Sequence, residues 1–531
     1  MADESRAIRG RAVVRGFANI GLGTLASRFS GFVREVVTAA MFGAGTSMDI
    51  FVAAFTIPNL LCRILGESTV ESAFMPLFRG LHARGETRRA WRLASRSIIN
   101  FTIALTIMVL VGLAISPFLV SVVAHGFTGE VAEATVYMTR LMFPFGLFIG
   151  LAALMGAILL SFQRYRVYSL APVMLNMGIV VSVLLLRGRM SYVSLAIGVL
   201  VGGLLQFLVQ VPFAARLAGR DGARLIATGG GLRDPDMKQV AALSVPVLIE
   251  SSIQRVGVIV DRTIASFLIP GSISSLYYSF RLVHLPYAIL ALAAGRAVAP
   301  HLAEQHALGQ HREFRETLIS GLGMNMAYLL PVVLLTVWFA RPIVGIVYER
   351  GAFDANDLSM TASALAMYAV GLPGMGATFI LVRAFAAKLD TRTPVGVAVA
   401  AFFMNVGLNL LLVRTPLKHA GLALASSIAF TAHAVILYMI LNRRARAEGN
   451  AIRPTEMLAQ SGKVVAAGAI MLAVAWAVDT WLGMRLADSI LLKRVARLVI
   501  AGGAGVLAYL GAARLMGLEE VTHLITRTKR S

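Results

Sequence analysis

The sequence predicts an all-α polytopic membrane protein. It comprises about fourteen transmembrane helices, arranged as two six-helix lobes related by pseudo-two-fold symmetry plus two extra C-terminal helices. Three observations predict this. Of 531 residues 57% are hydrophobic and only 14% charged, with a mean hydropathy of +0.76. The apolar residues fall in blocks of about 20 or more, enough for a helix to cross a hydrocarbon core of roughly 30 Å, whereas a barrel would show short alternating runs. Between the blocks, arginine-rich segments alternate with segments nearly bare of Lys and Arg.

In chain order, the expected spans are 15–42, 47–79, 95–123, 131–162, 168–187, 192–217, 239–268, 272–304, 314–347, 356–388, 393–413, 418–442, 462–482 and 489–515. The basic connections include Arg6 to Arg15, Arg84 to Arg92, Arg164 and Arg166, Arg216 to Arg233, Arg312 and Arg315, Lys388 and Arg392, Arg443 to Arg446, and the tail from Arg527. The bare connections include GAGTS, HGFTGE and IPGS. This asymmetry predicts that both termini are cytoplasmic, with the polar N-terminus retained as a tail instead of serving as a signal peptide. Lys493 and Arg494 run against it, at the outer start of the last span.

The net charge of +22 follows from this loop basicity and does not call for nucleic acid. A single cysteine, Cys62, excludes an intrachain disulfide framework and a zinc ribbon.

The halves repeat. Asn176–Gly178 returns as Asn405–Gly407, and Pro144 as Pro373, each 229 positions on. Gly43 and Gly271, Pro58 and Pro286, and Arg34 and Arg262 recur at 228. The expected domains are an N-lobe over 1–217, a cytoplasmic linker over 218–238, a C-lobe over 239–445, and a C-terminal helix pair with basic tail over 446–531.

Ionisable groups within spans mark a protein-lined or watery path. The first half carries Arg28, Arg34, Glu35, Asp49, Arg63, Glu67 and Glu71; the second carries Glu250, Arg255, Asp261, Arg262, Arg281, His284 and Arg383. Arg28 and Glu35, seven apart, point nearly the same way on a helix; Arg34 points about 120° from Arg28 and lies about 9 Å further along. Gly31, Ser27 and Ser30 keep that helix narrow, so a neighbouring helix or a headgroup can approach. Arginines at two depths suit a wide anion, and a guanidinium fork matches phosphate.

Alternatives stand beside this. Arg34 with Glu35, or Arg63 with Glu67, forms a packing salt bridge, or the arginines snorkel. Glu71 and Arg383 read best as structural. His284 is a proton site or a neutral core residue, the latter slightly favoured. Asp261, Asn405 and Asn409 offer hard oxygen donors for a sodium ion, or merely join helices.

No G-x-x-x-x-G-K-[ST], H-E-x-x-H or G-x-S-x-G occurs. The reading is secondary transport of an anion, not an enzyme. A polyprenyl-phosphate glycosyltransferase is the rival from another class, with Glu130, Asp354 and Asp357 as its outer acidic groups. A transport-dead scaffold is a third reading.

Several stretches carry a resemblance: SRFSGFVREVVTAAMFGAGTSMD, FTIPNLL, VIVDRTIASFL, YERGAFDANDL, KLDTRTP, FFMNVGLNLLL and GLALASSIA. From about residue 17 to residue 440 the chain resembles the MurJ (MviN) lipid II flippases of the multidrug/oligosaccharidyl-lipid/polysaccharide exporter superfamily. The resemblance implies a lipid II cargo, an undecaprenyl-pyrophosphate bearing a disaccharide-pentapeptide. It further implies alternating access between the leaflets of the bacterial inner membrane, with membrane lipids and other cell-wall synthesis proteins as partners. It implies that Arg28, Arg34, Arg63 and Arg281 bind substrate with Asp49, that Glu35 supports them, and that Asp261, Asn405 and Asn409 hold sodium where transport is coupled to Na+ or H+; Gly31 and His284 are further supporting residues read from the helices themselves. Another polyprenyl-linked glycan, or a drug as in other exporters of the superfamily, is the alternative cargo. The chain departs from the family pattern where Cys62 replaces an arginine, where Phe280 replaces an aspartate, and where GESTVESAF replaces a GEGA-type stretch.

Overall fold

The computed structural model describes residues 23, 25–63, 69–226, 234–447, 454–485 and 491–518. Glu67, the side chains of Glu71, Glu250 and Arg255, and both basic terminal segments lie outside the described residues.

The described chain is helical throughout, as the apolar blocks require: lipid offers no hydrogen bonds, so backbone groups must bond within each segment. Among the described residues ten helical segments are long and apolar enough to cross a membrane, or eleven if the pair Ala355–Val370 and Leu372–Ala387, bent by 40°, is one span. Where the other three spans were expected lie helix α1 over 25–42, the short apolar α2 (Thr46–Cys62) and α3 (Met75–Ala83), and α11 (Pro235–Ala265), which do not meet that measure.

Two compact units divide the chain, residues 1–273 and 274–531. In the first, α4 (Thr87–Ala114) and α5 (Ser116–Val123) are followed by α6 (Gly129–Met142), α7 (Phe145–Ser161), α8 (Tyr165–Met190), α9 (Val193–Leu208) and α10 (Val211–Arg220). Prolines explain the breaks. Pro117, Pro144 and Pro212 follow the ends of α4, α6 and α9, where a missing amide and the bulk of the ring interrupt the helical ladder. A buried core joins Phe78, Trp91, Leu154, Ile158 and Leu217, and Trp91 stacks on Phe162 with ring centroids 5.8 Å apart. The α8–α9 crossing is close because Gly178 meets Gly202: a Cβ on Gly178 would fall 2.4 Å from the Gly202 Cα.

Helix α11 packs with the first unit. Its first turn carries Asp236, which accepts both Nε and Nη2 of Arg89 on α4, at 2.9 and 2.7 Å. At its far end Thr263 donates to the Val122 carbonyl on α5 at 2.6 Å, and Ser266 accepts the Gly126 amide at 2.9 Å.

The second unit holds most of α12 (Ser272–Pro286), then α13 (Leu292–Ala307), α14 (His311–Trp338), α15 (Ala340–Tyr348), α16 (Ala355–Val370), α17 (Leu372–Ala387), α18 (Arg392–Leu412), α19 (His419–Ala447), α20 (Pro454–Arg485) and α21 (Leu491–Leu515). Its core groups Leu302, Leu318, Ile380, Phe385 and Leu437. The last two helices pack on each other and on α14, where the Tyr509 hydroxyl donates to the Ala327 carbonyl at 2.7 Å.

Of the two basic residues that run against the expected topology, Arg494 forms an ion pair with Glu349 at the end of α15; nearby, Arg497 donates to Asp479 on α20 at 2.6 Å. Leu185, Val499 and Leu507 are more than half exposed, which in a membrane means contact with lipid tails instead of water.

Candidate functional site

On α1, Arg34 and Glu35 form an ion pair while Arg34 Nη1 donates to Asn176 Oδ1 on α8 at 2.9 Å. Asn176 in turn donates to Ser30 Oγ at 2.9 Å. The narrow face at Gly31 therefore receives a neighbouring helix: a Cβ there would lie 3.6 Å from Asn176 Nδ2. Glu35 is 5% exposed. Arg28, two turns back on nearly the same face, is exposed. Similar direction thus gives different surroundings: Glu35 is buried and Arg28 is exposed.

Asp49 on α2 is 3% exposed, and its Oδ2 accepts the Gly271 amide at 2.6 Å. Gly271 has φ +91 and its repeat partner Gly43 has φ +65, a region that favours glycine, so both open tight turns between helices. Asp49 therefore ties α2 to the turn after α11. Asp261 is half-buried on α11 beside Arg262, whose Nη1 donates to the Ile273 carbonyl at 2.9 Å.

Cys62 and Arg63 end α2 in different surroundings. Cys62 is buried, close enough that a Cβ on Gly146 of α7 would lie 3.0 Å from its sulfur. Arg63 is exposed. A π-helical turn follows at Val70–Phe74, and another at Tyr287–Ala291 interrupts the run from α12 to α13; such turns often mark functional positions.

In the second unit Arg281 is exposed, with its guanidinium 5.1 Å from the centre of the Tyr277 ring. His284 is also exposed, flanked edge-on by Phe280 and Tyr287 at 5.2 Å each, which corrects the slightly favoured reading of a core histidine. Phe280 packs on Tyr368 at 5.5 Å. Arg383 lies over the Phe379 ring at 5.1 Å. Asn409 is fully buried on α18 and donates to Asn405 Oδ1 at 3.1 Å, and Asn405 donates to Ser426 on α19 at 3.4 Å. Among the described residues no group of three or more His, Cys, Asp or Glu side chains is placed to hold a metal.

Two of the stretches that carry the resemblance have local structural work. In ERGAFD, the Asp354 carboxylate accepts the Asp357 amide at 2.8 Å and caps α16, so this acid of the glycosyltransferase reading serves a helix start. In DTRTP, Asp390 accepts the Thr393 amide and hydroxyl and Arg444 Nη1, at 3.0, 2.6 and 2.6 Å. These bonds, those from Thr393 foremost, hold the Asp390 carboxyl well below the usual carboxylate range.

The sequence marked Asn176 only as part of a repeat. Its place as the partner of Arg34, and that of Gly271 as the partner of Asp49, were missed. The repeat offsets that pair Asn176 with Asn405 and Gly43 with Gly271 were the available signal.

A helical membrane protein of this kind, with charged groups held inside its spans, has the architecture of a transporter. A solved structure of a lipid II flippase MurJ in an inward closed conformation has the same fold: TM-score 0.77, 22% identity, 94% of this chain and 99% of that one covered. An inward-facing multidrug resistance MATE family transporter of the MOP superfamily shares it at TM-score 0.66 and 14% identity, over 79% of this chain and 95% of that one. The model of the family "Lipid II flippase MurJ" matches residues 38–496. The lipid II flippase MurJ of Burkholderia cenocepacia is 33% identical over 430 residues, covering 79% of this chain and 82% of the relative. The probable lipid II flippase MurJ of Vibrio cholerae is 31% identical over 510 residues, covering 93% and 94%. The chain belongs to the MurJ lipid II flippase family.

Proposed function

We propose that this protein carries lipid II from the inner to the outer leaflet of the bacterial cytoplasmic membrane by alternating access, as a secondary transporter and not an enzyme. Membership of the family supports the cargo. The observation that carries the reading is the Arg34–Asn176–Glu35 arrangement, with Arg28 exposed on the same helix. An arginine held by two side chains is kept charged and oriented within a span, where an unused charge would cost a few kcal/mol or more.

Arg28, Arg34 and Arg281 grip the pyrophosphate and sugar acids by charge-assisted hydrogen bonds, and Arg63 adds a further positive group near the end of α2. Asp49 acts by positioning, through the turn at Gly271. The apolar faces of α20 and α21 receive the isoprenoid tail. Fourteen spans in two pseudo-symmetric halves, with both termini cytoplasmic, complete the reading.

Coupling to Na+ or H+ is part of the proposal. The amide oxygens of Asn405 and Asn409 and the carboxylate of Asp261 are hard donors of the kind sodium takes, and a bound cation would neutralise charge there. Asn405 Oδ1 already accepts from Asn409, so its use as a ligand requires that 3.1 Å bond to open.

Arg28→Ala tests the clamp. The variant should reach the membrane at the wild-type level and fail to support growth when the native protein is depleted; full complementation overturns the clamp.

A further inference from the structure

Two corners of the fold are built alike and differ in one charge. In the second unit α17 ends at Ala387, Leu389 turns the chain at φ +58, and α18 starts at Arg392. In the first unit α7 ends at Ser161, Gln163 turns the chain at φ +56, and α8 starts at Tyr165. The residue after the left-handed turn is Asp390 in the second unit and Arg164 in the first. Asp390 binds Arg444; Arg164 stands 226 positions before Asp390 and Arg216 stands 228 before Arg444. The first unit thus has an arginine after the turn, where the second has a carboxylate, and another arginine on the later helix that faces it.

The result is a cavity of about 490 Å³ lined by Arg164, Arg166, Arg216 and Arg220, with no acidic residue in its lining. Among the described residues no carboxylate lies within ion-pair distance of Arg164, Arg216 or Arg220. Two further features bear on the ligand. The α8 N-terminus has no side-chain cap at Arg164, and a helix start of this kind favours an acceptor. One wall is apolar, formed by Val167, Phe213 and Leu217, and the Arg216 guanidinium lies 5.7 Å from the Phe213 ring centre.

We propose that this corner is a binding site for a phosphate-ester anion, whose phosphate takes the role that the Asp390 carboxylate plays in the second unit. The apolar wall fits the upper acyl region of an anionic phospholipid whose headgroup meets the arginines. The site is separate from the substrate clamp and does not rest on it.

Native mass spectrometry of the full-length protein in detergent tests this, with phosphatidylglycerol, phosphatidylcholine and inorganic phosphate as probes. Phosphatidylglycerol should bind the wild type about tenfold more tightly than Arg164→Gln/Arg216→Gln, and phosphatidylcholine should not discriminate between them. The charge-conserving Arg164→Lys/Arg216→Lys should retain most of the binding. Loss of bound phosphatidylglycerol on adding millimolar phosphate would assign the site to phosphate alone, and its retention would assign it to the lipid; both support an anion site. Equal phosphatidylglycerol affinity of wild type and glutamine variant overturns it. The wild type gives a second reading that needs no variant: phosphatidylglycerol occupancy should fall as NaCl rises, and occupancy indifferent to salt also overturns the proposal.

Discussion

Arg34 donates to the side-chain oxygen of Asn176 at 2.9 Å, across 142 residues of sequence, and this bond fixes how α1 meets α8. Asn176 holds Ser30 with its amide while it holds Arg34 with its carbonyl. Asn176→Ala should therefore lower the stability of the purified protein by about 1.5–3 kcal/mol, the range for a hydrogen bond to a charged group. The same change in an Arg34→Gln background should cost less. A thermal unfolding series on the four proteins reads this coupling.

The α8–α9 crossing should not tolerate side chains. Gly178→Ala places a Cβ 2.4 Å from backbone at Gly202, and Gly202→Ala places one 2.5 Å from the Leu175 carbonyl oxygen. Backbone cannot step aside as a flexible side chain can, so each variant should lose several kcal/mol or fail to accumulate. Gly31→Ala, with 3.6 Å to Asn176 Nδ2, should unfold within a few degrees of the wild type.

Asp390 gives a pH dependence of known sign. Its folded pKa is lowered by Thr393 and Arg444, so its contribution to stability is present above the unfolded carboxylate value of about 4 and is lost as pH falls below it. The stability gap between wild type and Asp390→Asn should be flat around neutral pH and narrow below about pH 4. Chemical unfolding at a series of pH values checks it.

Arg494 and Glu349 join α21 to the end of α15. Both are partly exposed, so a double-mutant cycle with Arg494→Gln and Glu349→Gln should return a coupling of about 0.5–1 kcal/mol. A vanishing coupling would remove the pairing argued for the basic start of the last span.

The helices were legible because run length and breakers carry the signal: α8 over 165–190 was expected over 168–187, and α18 over 392–412 was expected over 393–413. The breaks inside spans were less legible: Pro117 and Pro342 follow Ile115 and Phe339, but the apolar run continues past each proline and reads as one span. At the site, the ion pair of Arg34 with Glu35 could be read from adjacency. The partners Asn176 and Gly271 lie 142 and 222 residues from the groups they bind, and no local pattern brings them together. The exposure of His284 was also hidden, because an aromatic neighbourhood reads as core in sequence whether or not another helix covers it.

The central claim is transport of lipid II between leaflets. Its most direct test is to deplete the protein in living cells, expose the outer leaflet to an enzyme that cleaves lipid II only from outside, and measure the fraction cleaved. The account predicts that lipid II accumulates and becomes protected on depletion, and that the wild-type protein, but not Arg28→Ala, restores cleavage. Unchanged cleavage on depletion would contradict it.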